Sequence, residues 1–238
     1  GNLEIVMRAI PMMVPSIEEL TLPLILKEIA MNTRGLVLVT GVTGSGKSSA
    51  IAAMVDHVNR NRPCHIITIE DPIEFVYTDQ KSSVSQREVG LDTDSFSQGL
   101  KFSLRQDPDV VVIGEMRDQE TATTAMMAAE TGHLVFSTLH TLDAAQTIDR
   151  IIDMFPSNQH DQVRMQMANT LAAIVSLRLL SKLDQKGRVP AVEVLICTQI
   201  IRSFIRVKKN NMIRQAIAEG ASQYKMQTFD MSLLELFK

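Results

Sequence analysis

A glycine-rich octapeptide constrains the fold of this chain more than any other feature. Residues 41–48 read GVTGSGKS and complete the pattern G-x-x-x-x-G-K-[ST], the P-loop. A β-branched run at 36–40 precedes it and a helix-forming stretch at 49–54 follows it, which is the context that the motif requires. Glycines let backbone N–H groups close around phosphate oxygens, and the helix N-terminus adds positive charge. The sequence therefore predicts a strand, loop and helix that bind a nucleoside triphosphate.

The side chains of this loop indicate the chemistry of the ligand. Lys47 is placed to reach the β- and γ-phosphates, and the Ser48 hydroxyl is placed to bind Mg²⁺. The predicted cofactors are therefore ATP and Mg²⁺. The predicted nucleotide-binding residues are Thr43, Gly44, Ser45, Gly46, Lys47, Ser48 and Ser49.

Beyond the loop, β-branched runs alternate with longer helical patterns. This alternation is typical of a largely parallel sheet with helices on its faces, so we predict an α/β fold. Strands are predicted at 36–40, 64–70, 109–114 and 134–138, and helices at 48–60, 94–105, 119–131 and 143–154.

Four other segments carry additional patterns. Residues 73–90 suggest an inserted hairpin, because two short strand-like runs are separated by polar residues. Residues 158–181 place apolar side chains at helical spacing and predict one long helix. A last strand is predicted at 189–196, and the residues from 198 onward are short on strand signals and predicted to be helical.

These patterns divide the chain into three units. Ser16, followed three residues later by Glu19, predicts the start of a short helix after a linker. The chain does not begin with Met and stops within an apolar helical pattern, so we expect it to be part of a longer protein. The predicted units are a linker at 1–20, an α/β domain at 21–197 and a small helical C-terminal subdomain at 198–238.

Composition narrows the class of protein. A chain of 238 residues is long enough to bury a substantial core. Its two cysteines, Cys64 and Cys197, are far apart and indicate neither a disulfide framework nor a zinc site. We expect a cytoplasmic protein, because no apolar run has the length of a membrane span and no signal peptide is visible. A net charge of −3 and a pI near 6.0 argue against a dedicated nucleic-acid binder, with 206–209 as the best local basic patch.

Carboxylates follow two of the predicted strands. Hydrolysis of a nucleotide needs a carboxylate near the γ-phosphate and oxygen ligands for Mg²⁺, and open parallel sheets place ligands at the carboxyl ends of their strands. Glu115 closes the strand at 109–114 and is our first choice for the catalytic base. Glu74 is a candidate metal or water ligand, and Glu70 and Asp71 are candidate Mg²⁺ ligands. A solvated loop is the alternative for Glu70 and Asp71.

A histidine and three arginines complete the candidate site. His140 follows the strand at 134–138, on the side where the γ-phosphate is expected, and its imidazole is suited to hydrogen bonding with that phosphate. Arg87, Arg105 and Arg117 lie in or beside these segments and are candidates for stabilising transition-state charge. Surface solvation or a structural ion pair is the alternative for each arginine, and a structural role is the alternative for His140.

Taken together, these segments resemble the secretion ATPase superfamily and, more narrowly, the type IV pilus retraction ATPases of the PilT/PilU family. The resemblance runs in register over about residues 8–236. The segments that carry it are GVTGSGKSS at 41–49, ITIEDPIE at 67–74, SQREVG at 85–90, LRQDPDVVVIGEMRD at 104–118, AAETGHLVFSTLHT at 128–141 and TIDRIIDMFP at 147–156.

The resemblance implies a function and an assembly. It implies a RecA-like P-loop ATPase domain, an acidic box at Glu70, Asp71 and Glu74, an atypical Walker B motif ending at Glu115, and a His box ending at His140. It further implies a hexameric ring at the cytoplasmic face of the inner membrane. That ring would dock on a platform protein in the membrane and use ATP to withdraw pilin subunits. The family's N-terminal PAS-like domain would precede this chain, which retains only its exit linker at 7–11, and would supply arginines to the site.

Several departures from the family pattern keep an alternative open. The segment at 200–206 resembles the retraction-associated motif AIRNLIRE, but Val207 stands where its final acid is expected. The usual glutamine is missing from 176–179, and the segments at 191–195 and 226–230 resemble the PilU-type accessory paralogue more than PilT. An accessory nucleotide-binding subunit with weak turnover, partnering a paralogous retraction ATPase, is therefore the second hypothesis.

Three other functions are weaker hypotheses. The absence of a four-cysteine zinc motif favours retraction over the pilus-assembly and type II secretion ATPases of the superfamily. A small-molecule kinase would need an arginine-rich lid, which the sequence does not show. A DNA-directed motor is disfavoured by the acidic charge balance.

Overall fold

The computed structural model describes residues 10–11, 13–183 and 186–237. Half of the predicted linker at 1–20, including residues 7–9, lies outside the described residues. Within them, no helix is both long and apolar enough to cross a lipid bilayer. The strands are β1 (Gly35–Thr40), β2 (His65–Glu70), β3 (Ser83–Glu88), β4 (Val110–Ile113), β5 (Leu134–Leu139), β6 (Leu171–Ser181) and β7 (Arg188–Ile196).

These strands form one sheet in the order β3-β2-β4-β5-β1-β6-β7. Neighbours run parallel from β3 to β6, and only β7 is antiparallel to its neighbour. The central strands β1, β4 and β5 are buried at every position, as expected for parallel strands that helices cover on both faces. The predicted α/β fold and its largely parallel sheet are confirmed.

Helices cover both faces of the sheet and divide its core in two. On β1, Leu36 and Leu38 point into one apolar cluster, whereas Val37 and Val39 point into the other. Side chains of Ser95, Asp118, Asp143 and Thr198 cap the helices that follow them by accepting a backbone N–H. The helices are α1 (Ile25–Ala30), α2 (Lys47–Asn61), α3 (Phe96–Ser103), α4 (Gln119–Glu130), α5 (Ala144–Ile152), α6 (His160–Thr170), α7 (Gln199–Arg206), α8 (Ile213–Glu219), α9 (Ala221–Tyr224) and α10 (Phe229–Phe237).

The predicted hairpin at 73–90 is wrong. Only β3 forms in this segment, and it pairs in parallel with β2 along its whole length. Parallel neighbours need a crossover rather than a tight turn, so residues 71–82 form a connecting loop instead of a first strand. The apolar residue Tyr77 in that loop packs against the core cluster that contains α2.

The predicted long helix at 158–181 is also wrong in its second half. Helix α6 ends at Thr170, and the chain continues directly into β6, which is the longest strand of the sheet. Apolar residues on β6 face both clusters, with Leu171 and Ile174 in one and Ala173 and Val175 in the other. A strand that is buried on both faces lacks strict alternation, so its apolar run was mistaken for a helical pattern.

The N-terminal helix start is only partly as predicted. Ser16 and Glu19 form a reciprocal capping pair, with the Ser16 N–H bonding to Glu19 Oε2 at 2.7 Å and the Glu19 N–H bonding to Ser16 Oγ at 3.1 Å. The chain makes a turn there, and the first helix begins only at Ile25.

The C-terminal segment is helical as predicted and lies along the free edge of β7. The backbones of Gln227 and Val194 exchange hydrogen bonds of 2.9 and 3.2 Å, and the Val192 N–H donates to Ser232 Oγ at 3.0 Å. These contacts cover backbone groups that an edge strand would otherwise expose. The boundary that we place at residue 198 remains a prediction.

Candidate nucleotide site

The loop between β1 and α2 has a backbone that only glycine adopts easily. Gly41, Gly44 and Gly46 have φ angles of +144°, +77° and +95°. A Cβ atom on Gly41 would lie 2.5 Å from the carbonyl oxygen of Leu177 on β6. The sequence pattern of the loop is therefore a steric requirement, and α2 begins with Lys47 directly after it.

Lys47 lies folded back over the loop. Its Nζ donates to the carbonyl oxygens of Gly41 at 2.9 Å and Val42 at 3.0 Å. Burial lowers the pKa of its ammonium, while the charges of Glu115 and Glu74 act in the opposite direction. The lysine is thus close enough to both acids to interact with them electrostatically across the cleft.

Glu115 leaves the end of β4 and enters this cleft. Its Oε2 accepts hydrogen bonds from Arg117, with Nε and Nη2 each 2.8 Å away, and its Oε1 lies 3.3 Å from His140 Nε2. Only a fifth of its side chain is exposed. The structure therefore brings the predicted base together with the predicted histidine and one of the predicted arginines.

Thr138 was not predicted and supports this arrangement from β5. Its hydroxyl donates to the carbonyl oxygen of Gly114 at 2.6 Å, and its own carbonyl oxygen accepts the Met116 N–H at 3.1 Å. Gly114 and Met116, the residues on either side of Glu115 in the chain, are thus both hydrogen-bonded to Thr138 on β5. The hydroxyl residues Ser137 and Thr138 near the end of a strand that begins with three apolar residues were the signal available in the sequence.

Glu70 lies at the end of β2 with its carboxylate already engaged. Its Oε1 accepts hydrogen bonds from Thr68 Oγ1 at 2.6 Å and Gln86 Nε2 at 3.2 Å. Burial raises the pKa of this carboxyl, and these hydrogen bonds, with one from the Glu74 backbone, act against that rise. Glu70 therefore binds the loop that carries Glu74, and its role as a metal ligand remains a prediction.

The P-loop and the acidic residues line one cleft of about 380 Å³. It contains four of the predicted nucleotide-binding residues and all of the predicted catalytic and metal-binding residues. The predicted site residues that line the cleft are Thr43, Gly44, Lys47, Ser48, Glu70, Asp71, Glu74, Glu115 and His140.

The sequence also shows which family of known proteins this chain is related to. The sequence pattern of the family described as "Type II/IV secretion system protein" matches residues 6–233. This chain belongs to that family.

Relatives of this chain include two proteins of Pseudomonas aeruginosa. The chain is 50% identical to the type IV pilus retraction ATPase PilT over 96% of its own length and 66% of that protein. It is 47% identical to the type IV pilus ATPase PilU over 98% of its length and 60% of that protein. Among solved structures, the pilus retraction motor PilT with bound ADP has a TM-score of 0.89 and 49% identity, covering 97% of this chain and 65% of that one. The chain thus spans about two thirds or less of these relatives.

The three predicted arginines lie at different positions relative to the cleft. Arg117 lines the cleft. Arg87 pairs in register with Ile69 on β2. Ile69 belongs to an apolar core cluster on the face of the sheet opposite to Glu70, so Arg87 lies on that face too. Arg105 is exposed, with its guanidinium 5.8 Å from the Phe102 ring. Within this chain, only Arg117 is therefore brought to the acids.

The residues present fit a magnesium nucleotide. Glycines with positive φ angles place no Cβ atom at 41, 44 and 46, and the Ser48 hydroxyl, Asp71 and Glu74 line the same cleft. The described residues contain no group of three or more His, Cys, Asp or Glu side chains arranged to hold a metal. Mg²⁺ bound with a nucleotide keeps several waters and is held by one or two carboxylates with the phosphates, so Ser48 with one of these acids would suffice.

The basic patch at 206–209 is largely occupied by contacts within the chain. Arg206 Nη2 donates to Asn169 Oδ1 at 2.7 Å, and Lys208 Nζ lies 2.6 Å from Asp161 Oδ1. These contacts dock α7 and the turn after it on α6, which favours a structural role for the patch.

Proposed function

We propose that this chain is the ATPase part of a hexameric motor that hydrolyses ATP to power type IV pilus retraction, and hence twitching motility. The observation that carries the proposal is the position of Glu115. This acid lies in one cleft with the P-loop, between His140 and Arg117. Such an arrangement suits a carboxylate that orients and deprotonates water next to the γ-phosphate.

Each residue has a task in this proposal. Lys47 turns from the carbonyl groups of the P-loop to the β- and γ-phosphates, and the N-terminus of α2 stabilises their charge. Ser48, with Glu74 and Asp71, holds Mg²⁺, which neutralises charge on the phosphate oxygens when bound. Glu115 accepts the proton of the attacking water. His140 fixes the orientation of Glu115 and contacts the γ-phosphate, and Arg117 stabilises negative charge in the cleft.

The proposed assembly and partners follow from the family. The relatives named PilT and PilU support a homo-hexamer at the cytoplasmic face of the inner membrane, which acts on a platform protein of the pilus. Contact with the membrane would then be made through partners only. The negative net charge supports a motor that does not act on nucleic acid.

The second candidate is an accessory subunit that binds nucleotide but turns it over weakly. Val207 in place of an acid after α7 favours it, as does the similarity to PilU. In that case the chain would act beside a paralogous retraction ATPase. The two candidates differ in turnover and agree on nucleotide binding.

Phosphate release from Mg²⁺-ATP, measured over a series of protein concentrations, tests the proposal. We expect specific activity to rise with concentration as rings assemble, and Glu115→Gln to lower kcat by about 10²- to 10⁴-fold without loss of ADP binding. The matched control is Glu120→Gln, because Glu120 is exposed on α4 and pairs with Lys101. Binding of ADP without measurable turnover at any concentration favours the accessory subunit. Turnover that survives Glu115→Gln contradicts the assigned role of Glu115.

A further inference from the structure

The loop that carries Glu74 into the cleft has no regular secondary structure. It spans residues 71–82 between β2 and β3. A side chain on such a loop has a defined position only where other contacts fix the backbone. Two amide side chains, Gln86 on β3 and Asn59 on α2, supply many of these contacts.

Gln86 uses both ends of its amide on the residues around Glu74. Its Nε2 donates to the Phe75 carbonyl oxygen at 2.8 Å and to Glu70 Oε1 at 3.2 Å, and its Oε1 accepts the Tyr77 N–H at 2.9 Å. These donors and acceptors determine which end of the amide is which. The Glu70 carboxylate in turn accepts a hydrogen bond from the Glu74 backbone. Gln86 therefore holds the loop directly after Glu74 and, through the Glu70 carboxylate, contacts the end of β2 before it.

Asn59 holds the far end of the same loop. It is completely buried near the end of α2, the helix that begins with Lys47. Its Nδ2 donates to the Thr78 carbonyl oxygen at 2.9 Å, and its Oδ1 accepts the Gln80 N–H at 3.1 Å. The loop is thus attached through one amide to the P-loop helix and through the other to β3.

We propose that Asn59 and Gln86 form an amide clamp that positions Glu74 relative to the P-loop, which makes both amides positioning residues for hydrolysis. This inference rests on the proposed function, because that function gives Glu74 its task. Neither amide is among the residues that line the nucleotide cleft. The clamp therefore acts on the placement of Glu74 and leaves the binding of the nucleotide to the P-loop.

The substitution Gln86→Glu tests the clamp with little change in size. It keeps an acceptor for the Tyr77 N–H but removes the donor to Phe75 and Glu70. The matched control is Gln80→Glu, the same change on the same loop, because Gln80 is exposed and contributes its backbone N–H to the contacts described. We expect Gln86→Glu to lower kcat at least about tenfold, since small displacements of a catalytic group are costly. We expect its Kd for ADP to change less than about twofold, and Gln80→Glu to change neither quantity.

A second variant reports on the contacts themselves. Gln86→Met removes the donor and the acceptor, so hydrogen exchange at the Tyr77 amide should become at least about tenfold faster while the global unfolding transition persists. This hydrogen-exchange measurement still tests the clamp if Gln86→Glu does not fold.

Two results would overturn the clamp. One is a kcat for Gln86→Glu equal to that of Gln80→Glu, and the other is unchanged exchange at Tyr77 in Gln86→Met. Failure of the proposed function is seen separately, as absent turnover in the unmodified chain or turnover that does not depend on Glu115. In that case the exchange at Tyr77 alone decides whether the amides hold the loop.

Discussion

The two sides of the nucleotide cleft are built by different means. On one side, the P-loop consists of eight consecutive residues whose shape is set by glycine backbone angles. On the other side, Glu74, Glu115 and His140 follow three separate strands, β2, β4 and β5. The shape of the first side is set mainly by local backbone angles, whereas the second side forms only when the sheet is assembled.

The contacts that stabilise the two sides differ in the same way. Lys47 bonds to carbonyl groups five and six residues away in the chain. Glu115 depends on His140, and its neighbour Gly114 depends on Thr138, which lies 24 residues away. Ligand binding and catalysis are therefore expected to be separable by substitution, and the predictions below test this separation.

Of the three substitutions that follow, the largest effect is expected from the one on the P-loop side. Lys47→Ala removes the charge that is placed to reach the phosphates, so it should weaken nucleotide binding and lower kcat/KM by about 10²- to 10³-fold. Titration with a fluorescent ADP analogue and a phosphate-release assay measure the two quantities. The control is Lys101→Ala, because Lys101 is exposed on α3. Unaltered ADP affinity in Lys47→Ala would contradict the assignment of ligand binding to the P-loop side.

An intermediate effect is expected from His140. His140→Asn removes the imidazole that lies 3.3 Å from Glu115 Oε1, and loss of this contact, which positions the carboxylate, should reduce kcat by about tenfold or more. Because the P-loop is untouched, ADP affinity should stay within about twofold of the unmodified chain. The control is His57→Asn, since His57 lies on the outer part of α2 and contacts Asn61. Equal losses in kcat and ADP affinity would contradict the separation of the two sides.

The parts of the site that sequence predicted are those with local determinants. The P-loop needs glycines at fixed spacing between a strand and a helix, and both neighbours are recognisable from composition. Glu115 was found because an acid that closes an apolar strand is chemically conspicuous. The central strands were found because buried parallel strands form continuous β-branched runs.

The parts that sequence missed depend on contacts between distant segments. Gln86 was noted only as part of a motif, since nothing local shows that its amide reaches Phe75 and Tyr77. Consecutive residues of a strand point to opposite faces of the sheet. Which of Gln86 and Arg87 shares a face with Glu70 depends on the register of β3 on β2, and register is set by pairing. Strand β6 was misassigned because a run buried on both faces has no diagnostic period.

The smallest effect is expected from the substitution Glu193→Gln. Glu193 lies on β7, the edge strand of the sheet, and contacts the helix that follows His140. This buried glutamate on β7 accepts the Ala144 N–H at 2.9 Å and so holds the start of α5, four residues after His140. Burial raises its pKa, as does the charge of Asp143, and the hydrogen bond from Ala144 with the charges of Arg178 and Arg214 acts against that rise. Glu193→Gln keeps the acceptor and removes the ionisation.

The sign of the pH dependence follows from proton linkage. Between the ordinary glutamate pKa of 4.5 and the raised value in the fold, the folded chain binds more protons than the unfolded chain, so the contribution of Glu193 to stability is present at low pH and is lost as pH rises. The glutamine of Glu193→Gln does not ionise, so the variant does not lose this stability as pH rises. Its free energy of unfolding should therefore rise relative to that of the unmodified chain as pH increases through this window. Denaturant unfolding at several pH values measures the difference, with Glu235→Gln on the exposed side of α10 as control. A difference that shrinks with rising pH would mean that the ionised carboxylate stabilises the start of α5, and that the site depends on charge at this edge.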